Sequence, residues 1–153
     1  MKNPTQVNAM LSSARRQAGP LRSQPATRIP SVCVVDTRLD DYQGWESRGE
    51  AHSVRLHFVT SAAEALRLSR TTEVDLWVVN TELPGLSGCE LCGMLKSQRA
   101  GATVYLVADH YSPETERAAW AARATMFGCK PQHQAWIETW LGLRRNKPTL
   151  KLN

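Results

Sequence analysis

Four polar residues each stop an apolar run in this chain: Asp36 after Ser31-Val-Cys-Val-Val35, Asn80 after Leu-Trp-Val-Val, Asp109 after Thr103 to Ala108, and Lys130 after Ala124 to Cys129. A strand that merely ends in a polar residue explains any one of them. Four together, with a lysine among acids, make an ionic site, since carboxylates attract cations and an ammonium attracts anions. Cys89 and Cys92 form a Cys-x-x-Cys at a helix start, the spacing of a redox pair or of half a zinc site. A zinc site needs two further ligands, whereas Cys33 and Cys129 fall inside strands and no histidine follows at ligand spacing. All four cysteines read as structural, and no metal or cofactor is expected. His52, His57, His110 and His133 have no nucleophile partner in the sequence, which leaves a hydrolase without support.

The elements that must position these groups alternate in type. Ser31 to Val35 is an unbroken apolar run, as in a strand buried on both faces. A weak helical pattern spans Arg38 to Ala51, interrupted by Gly44 and Gly49, each costing about 1 kcal/mol in a helix interior. Arg55 to Val59 alternates and predicts an edge strand. Thr60 or Ser61 caps a helix through Arg70, with Glu64 placed for a capping box. Asp75 to Asn80 is the third strand, Pro84 to Gly88 a turn, and Cys89 to Gln98 a helix with Leu91, Cys92 and Leu95 on one face. Thr103 to Ala108 is the fourth strand; Ser112 caps a helix opening on Pro113, Glu114 and Glu116. Ala124 to Cys129 is a short fifth strand, and Gln134 to Arg145 a last helix. Five strands alternating with five helices predict an α/β fold, a five-stranded parallel sheet wound on both faces. Such sheets carry their chemistry at the carboxyl ends of the strands, where the four polar residues lie.

Length and charge bound the rest. At 153 residues with 42% hydrophobic content the chain suits one domain. No apolar run approaches the ~20 residues of a membrane span, and the polar start lacks a signal-peptide core, so a cytoplasmic location and no membrane partner are expected. The net charge of +5 is unevenly spread. Residues 1–29 hold five basic groups and no acid, residues 144–153 four and no acid; the stretch between holds ten basic against fourteen acidic residues. The organisation expected is a basic, disordered extension over 1–29, a domain over 30–145 and a basic tail over 146–153. Val7, Met10, Leu11 and Ala14 have the spacing of a short amphipathic helix, and the Arg- and Ser-rich composition of the extension is also that of a transit peptide.

The chain resembles the receiver domain of response regulators, the CheY-like fold, over about Pro30 to Arg145. Asn80-Thr-Glu-Leu-Pro-Gly-Leu-Ser-Gly88 followed by Cys-Glu-Leu-Cys92 is similar to the family's Asp-x-x-Met-Pro-Gly-Met-Ser-Gly and the helix after it. Lys130-Pro131 after a short strand with Phe127, the family's switch aromatic, and Asp36 after Val-Val are two more anchors. The resemblance implies strand order 2-1-3-4-5. It further implies an acidic pair after strand one and an Asp ending strand three that hold a divalent ion. That strand-three Asp takes a phosphoryl group, which a hydroxyl ending strand four and the lysine after strand five contact.

Here the phosphoacceptor position is Asn80, a carboxamide without a nucleophilic carboxylate. The second member of the acidic pair is Thr37, and the strand-four hydroxyl position is Ala108. Asp36, Phe127 and Lys130 survive. The chain therefore reads as a pseudo-receiver, non-enzymatic, acting through a protein partner in a signalling pathway. Lys130 is expected to pair with Asp36 and Asn80 to hydrogen-bond both. In the family, the face of the fourth helix, fifth strand and fifth helix serves dimers and partners, and here it carries Trp120, Trp136 and Trp140; these indoles either cover the core or anchor a partner or homodimer. Two other readings stand beside it: basic tails that hold nonspecific nucleic acid or another polyanion, and phosphotransfer through a relocated acid such as Asp109.

Overall fold

The computed structural model describes residues 28–146. Most of both basic extensions, including the spacing at Val7 to Ala14, lies outside the described residues. Five strands, β1 (Ser31–Val35), β2 (Arg55–Val59), β3 (Leu76–Asn80), β4 (Val104–Ala108) and β5 (Met126–Cys129), form one parallel sheet in the order β2-β1-β3-β4-β5. In-register pairs such as Val34 with Val78 and Val79 with Leu106 align the strand ends. β1, β3 and β4 are buried at every position, as their unbroken apolar runs require; β2 lies at one edge and β5 at the other.

Five helices connect them: α1 (Trp45–Ala51), α2 (Ala62–Thr71), α3 (Gly88–Gln98), α4 (Pro113–Ala121) and α5 (Trp136–Arg145). Side chains of α2, α3 and α4 cover the sheet face bearing Cys33, Val35, Trp77, Val79, Val104 and Leu106. Those of α1 and α5 cover the opposite face, with Trp45, Trp136, Ile137 and Trp140 against Val32, Val34, Val78 and Tyr105. Each fully buried side chain of this size contributes about 1.5–3 kcal/mol.

Local chemistry starts these helices where the sequence indicated. Ser87 and Glu90 form a reciprocal capping box on α3, and Ser112 accepts from the Thr115 amide ahead of α4. At α2, Ser61 accepts from the Glu64 amide, but the Glu64 carboxylate reaches one residue further back, to the Thr60 amide. The weak pattern over 38–51 resolves into a 3-10 turn (Leu39–Tyr42) and the short α1, because Gly44 adopts a left-handed conformation (φ 85°) that ends one and starts the other. The last helix is likewise split, with a 3-10 turn at Gln132–Ala135 preceding α5.

All helices run opposite to the strands, so their dipoles share one direction. Acids occupy first turns (Glu46, Glu64, Glu90, Glu114, Glu116, Glu138) at the carboxyl end of the sheet, and bases occupy last turns (Arg48, Arg70, Lys96, Arg144, Arg145) toward its amino end. No helix among the described residues is long and apolar enough to cross a membrane.

Candidate functional site at the carboxyl end of the sheet

Adjacent parallel strands in register bring Asn80, the last residue of β3, together with Asp36, Asp109 and Lys130, which directly follow β1, β4 and β5. The Lys130 ammonium is the centre of the cluster. Its Nζ lies 2.8 Å from Asp36 Oδ2, 2.8 Å from Asp41 Oδ2 and 2.9 Å from Asp109 Oδ1. Burial alone would lower the lysine pKa, but three hydrogen bonds to carboxylates outweigh it and push the ammonium well above its ordinary value. Asp109 responds in the opposite sense: burial would raise it, and the bonds from Lys130 and Asn80 hold it below its usual range.

Asn80, 2% exposed, uses its whole carboxamide. Nδ2 donates to Asp36 Oδ2 at 3.0 Å and to Asp109 Oδ1 at 3.2 Å, while Oδ1 accepts from the Glu82 amide at 2.8 Å. The expectation that Asn80 also bonds Lys130 needs correction. Both groups are donors toward the same carboxylates, so they meet through Asp36 and Asp109. The wholly buried Asp36 is the common acceptor, taking the Arg38 amide at Oδ1 and the Tyr42 hydroxyl, Asn80 and Lys130 at Oδ2. Burial, then the neighbouring Asp36 charge, push the Tyr42 phenol far above its ordinary value, so it remains a donor.

Asp41 is the member that sequence reasoning missed. It comes from the 3-10 turn, whose place is fixed by contacts to the β5–α5 junction. His133 Nε2 lies 2.8 Å from the Asp41 carbonyl, and the Gln134 side-chain amide donates to the same oxygen. Trp45 Nε1 donates to Gln134 Oε1 at 3.1 Å and Arg48 to the Gln134 carbonyl at 2.7 Å. Tyr42, Trp45 and His133 pack edge-on or tilted against one another, with the Tyr42 ring beneath the ammonium. The Asp40-Asp41 doublet four residues past Asp36 was the available signal, obscured by the two glycines that weakened the helical pattern.

A divalent cation requires oxygens with free lone pairs at about 2.0–2.6 Å; Asp36 already accepts four donors, and Lys130 holds one oxygen of each of the three carboxylates in the position a cation would take. Thr37 faces solvent, and Ala108, 2% exposed, brings a methyl group to the end of β4. Among the described residues no three His, Cys, Asp or Glu side chains are placed to share an ion. The loop after β3 is pinned tightly: a Cβ at Gly88 would collide with the Asn80 carbonyl, and the Gly88 amide donates to Thr81 at 3.0 Å.

The remaining sites divide by burial. Cys33 and Cys92 are buried, and burial pushes the Cys33 thiol up to about 12. Phe127 is half-buried on β5 against the α2–α4 side of the core. Trp136 and Trp140 do not form a docking face: at 7% and 5% exposed they pack on the sheet, Trp136 edge-on to Tyr105 and filling the space that Gly128 leaves open. Trp120 is 49% exposed on α4, with Tyr111 nearby, both donating to Glu116.

Comparison with known proteins agrees with this architecture. No curated protein matches the chain by sequence. Among solved structures, the signal receiver domain of an HD domain-containing protein from Pseudomonas fluorescens Pf-5 is 25% identical, with TM-score 0.67, covering 77% of this chain and 94% of that one. A CheY-like response regulator receiver domain protein from Methanospirillum hungatei JF-1 is 18% identical with TM-score 0.68, covering 76% and 94%. Chemotaxis protein CheY4 of Vibrio cholerae is 19% identical with TM-score 0.66, covering 76% and 98%. The family profile described as the response regulator receiver domain matches residues 32–141. With that match spanning most of its length, the chain belongs to the response regulator receiver domain family of two-component signalling.

Proposed function

We propose that this receiver works without aspartyl phosphorylation, is not an enzyme, and acts by protein contact in a cytoplasmic signalling pathway. The carrying observation is the pairing around Asp36 and Asp109: the Asn80 carboxamide donates to both while Lys130 bridges them to Asp41. A carboxamide at the end of β3 offers no nucleophilic oxygen for an acyl phosphate. The lysine is already neutralised by three carboxylates, so it has no free charge with which to receive a phosphate. This leaves a receiver held in one state, whose output is set by which partner docks, and the half-exposed indole of Trp120 is the anchor that supports contact on α4.

Intact-mass measurement of the full chain after incubation with acetyl phosphate and magnesium tests the reading. The unmodified mass is expected. An acid-labile phosphoryl adduct would overturn it.

A further inference from the structure

A hollow of about 400 Å³ opens at the amino end of the sheet, opposite the ionic cluster, between the last turns of α2 and α3. Its floor is Val74, Trp77, Leu95 and Ala102, none more than 6% exposed. Trp77 is the unusual member, because its indole N–H has no acceptor among the described residues. The atoms there that are both enclosed and unpaired are Ser31 Oγ, His57 Nε2 and His133 Nδ1. The Trp77 nitrogen is not one of them, so it belongs to the 3% of this residue that reaches a surface, and the surface Trp77 forms is the wall of the hollow. The rim adds two more donors. Ser69 donates to Gln98 Oε1 at 3.0 Å, which leaves the Gln98 NH2 group without an acceptor among the described residues. Arg70, exposed in the last turn of α2, has no ion pair among them. Other charges nearby are already engaged: Asp75 holds Arg28 at 2.6 Å and Arg144 at 3.4 Å, and Glu73, the one acid of the rim, holds Arg99 at 3.0 Å and Arg28 at 3.4 Å.

From this we infer that the hollow binds a small planar aromatic carboxylate, its ring against the floor and its carboxylate accepting from the Trp77 N–H and facing Arg70. The volume is that of a small-molecule site, an apolar cleft with a few convergent polar groups. Chemistry narrows the class. Three aliphatic side chains and an indole suit a flat ring, and they leave no donors for the several oxygens of a phosphate. Every unpaired polar side chain named here is a donor, so the ligand brings acceptors, and a nearly buried donor such as the Trp77 N–H is costly until it finds one. The carboxyl ends of α2 and α3 meet this rim, and their partial negative charges, about half an elementary charge each, oppose an anion. Arg70 at one end and Lys96 at the other are full charges against them, and the Arg70 guanidinium matches a carboxylate in shape. The inference is independent of how the site at the carboxyl end is used.

Heteronuclear NMR of the isotope-labelled full chain, titrated with sodium 2-naphthoate, tests it, since each tryptophan gives its own indole N–H signal and Trp77→Phe identifies the one concerned. The Trp77 signal is expected to move and to saturate with a Kd of about 1 mM or lower. The signals of Trp45, already bonded to Gln134, and of Trp140, on the opposite face of the sheet, are expected to stay in place. Arg70→Gln, a change at an exposed position, should weaken binding about three-fold or more, and the parent should bind naphthalene-2-carboxamide, the same ring without the charge, more weakly by a similar factor. If Trp77→Phe fails to fold by circular dichroism, triple-resonance assignment of the parent identifies the signal instead. A Trp77 signal that stays fixed in about 10 mM naphthoate, movement of the Trp120 signal in its place, unchanged affinity in Arg70→Gln, or equal affinity for the acid and the amide would each overturn the inference.

Discussion

Lys130 and Asp41 stand 89 positions apart in sequence and 2.8 Å apart in the fold, a charge-assisted bond between the end of β5 and a 3-10 turn that no apolar periodicity announces. That bond supplies a carboxylate from position 41 where Thr37 has none to give. It also ties the β1–α1 connection to the β5–α5 connection across the top of the sheet.

Removing the ammonium strands a wholly buried carboxylate. Lys130→Ala should therefore cost about 3–5 kcal/mol, because Asp36 loses its counter-charge with no access to water. Asp41 is more than a third exposed, and Asp41→Asn should cost only about 1 kcal/mol. Urea unfolding of the two variants beside the parent gives both numbers; equal costs would contradict the central place given to Asp36.

Restoring an aspartate at the end of β3 should harm this protein. Asn80→Asp replaces two donated hydrogen bonds with like-charge contacts to Asp36 and Asp109, at about 2–4 kcal/mol. Thermal unfolding should show a lower midpoint that magnesium does not recover, since Lys130 still fills the space between the carboxylates. Full recovery with millimolar magnesium would show that the cluster can be reopened.

Stability against pH should form a plateau with two distinct shoulders. Burial, opposed by the bond to Asp41, holds the His133 pKa below its ordinary 6.5, so its stabilisation is complete above 6.5 and declines as the pH falls. Asp109, also depressed, contributes above 3.8 and is lost as the pH falls through its folded value. On the alkaline side Cys33 rises from 9.0 to about 12 by burial, so its contribution is complete below 9.0 and is lost as the pH climbs toward 12. Lys130, raised from 10.5, adds a loss further up. Chemical denaturation between pH 4 and 11 should give greatest stability between about 6.5 and 9; unfolding that becomes harder on acidification from pH 7 to 5 would contradict the depressed His133 pKa.

Gly88→Ala should destabilise by about 1–3 kcal/mol, since its methyl group has no room beside the Asn80 carbonyl. Gly93→Ala, in the same helix with open space around it, should be neutral or stabilising. Opposite signs for the two glycines, read from thermal midpoints, would confirm that α3 seats directly on the end of β3.

The three tryptophans should separate by assay. Trp136→Ala should cost about 3–5 kcal/mol in stability, while Trp120→Ala should leave stability within about 1 kcal/mol. In pull-downs Trp120→Ala should reduce partner capture, and an unchanged set of partners would remove α4 as the docking surface.

Much of the fold was legible because the central strands are apolar between their polar ends: Val32 to Val35 and Leu76 to Val79 can only be buried on both faces. The caps at Thr60 or Ser61 and at Ser112 placed two helix starts by hydrogen-bond chemistry alone, whereas the Ser87 capping box reads in the sequence only as a turn. Four of the five members of the ionic cluster followed from strand ends. Asp41 did not, because a four-residue 3-10 turn ended at Gly44 leaves no repeating pattern. Arg28 is another such case: grouped by composition with the basic extension, it is instead anchored to Asp75 by a long-range pair that composition cannot display. The inward orientation of Trp136 and Trp140 depended on the packing of α5 against Tyr105 and Gly128, a property of tertiary fit and not of local sequence.

Arg28 and Arg144 contact the same oxygen of Asp75, so the entry and exit of the described fold are immediate neighbours. Architecturally the domain is a loop closed at its neck. It could be spliced into a surface turn of a host protein without prising that turn apart, and cut open elsewhere, with its old ends joined by a short bridge, while its strand order in space stays the same.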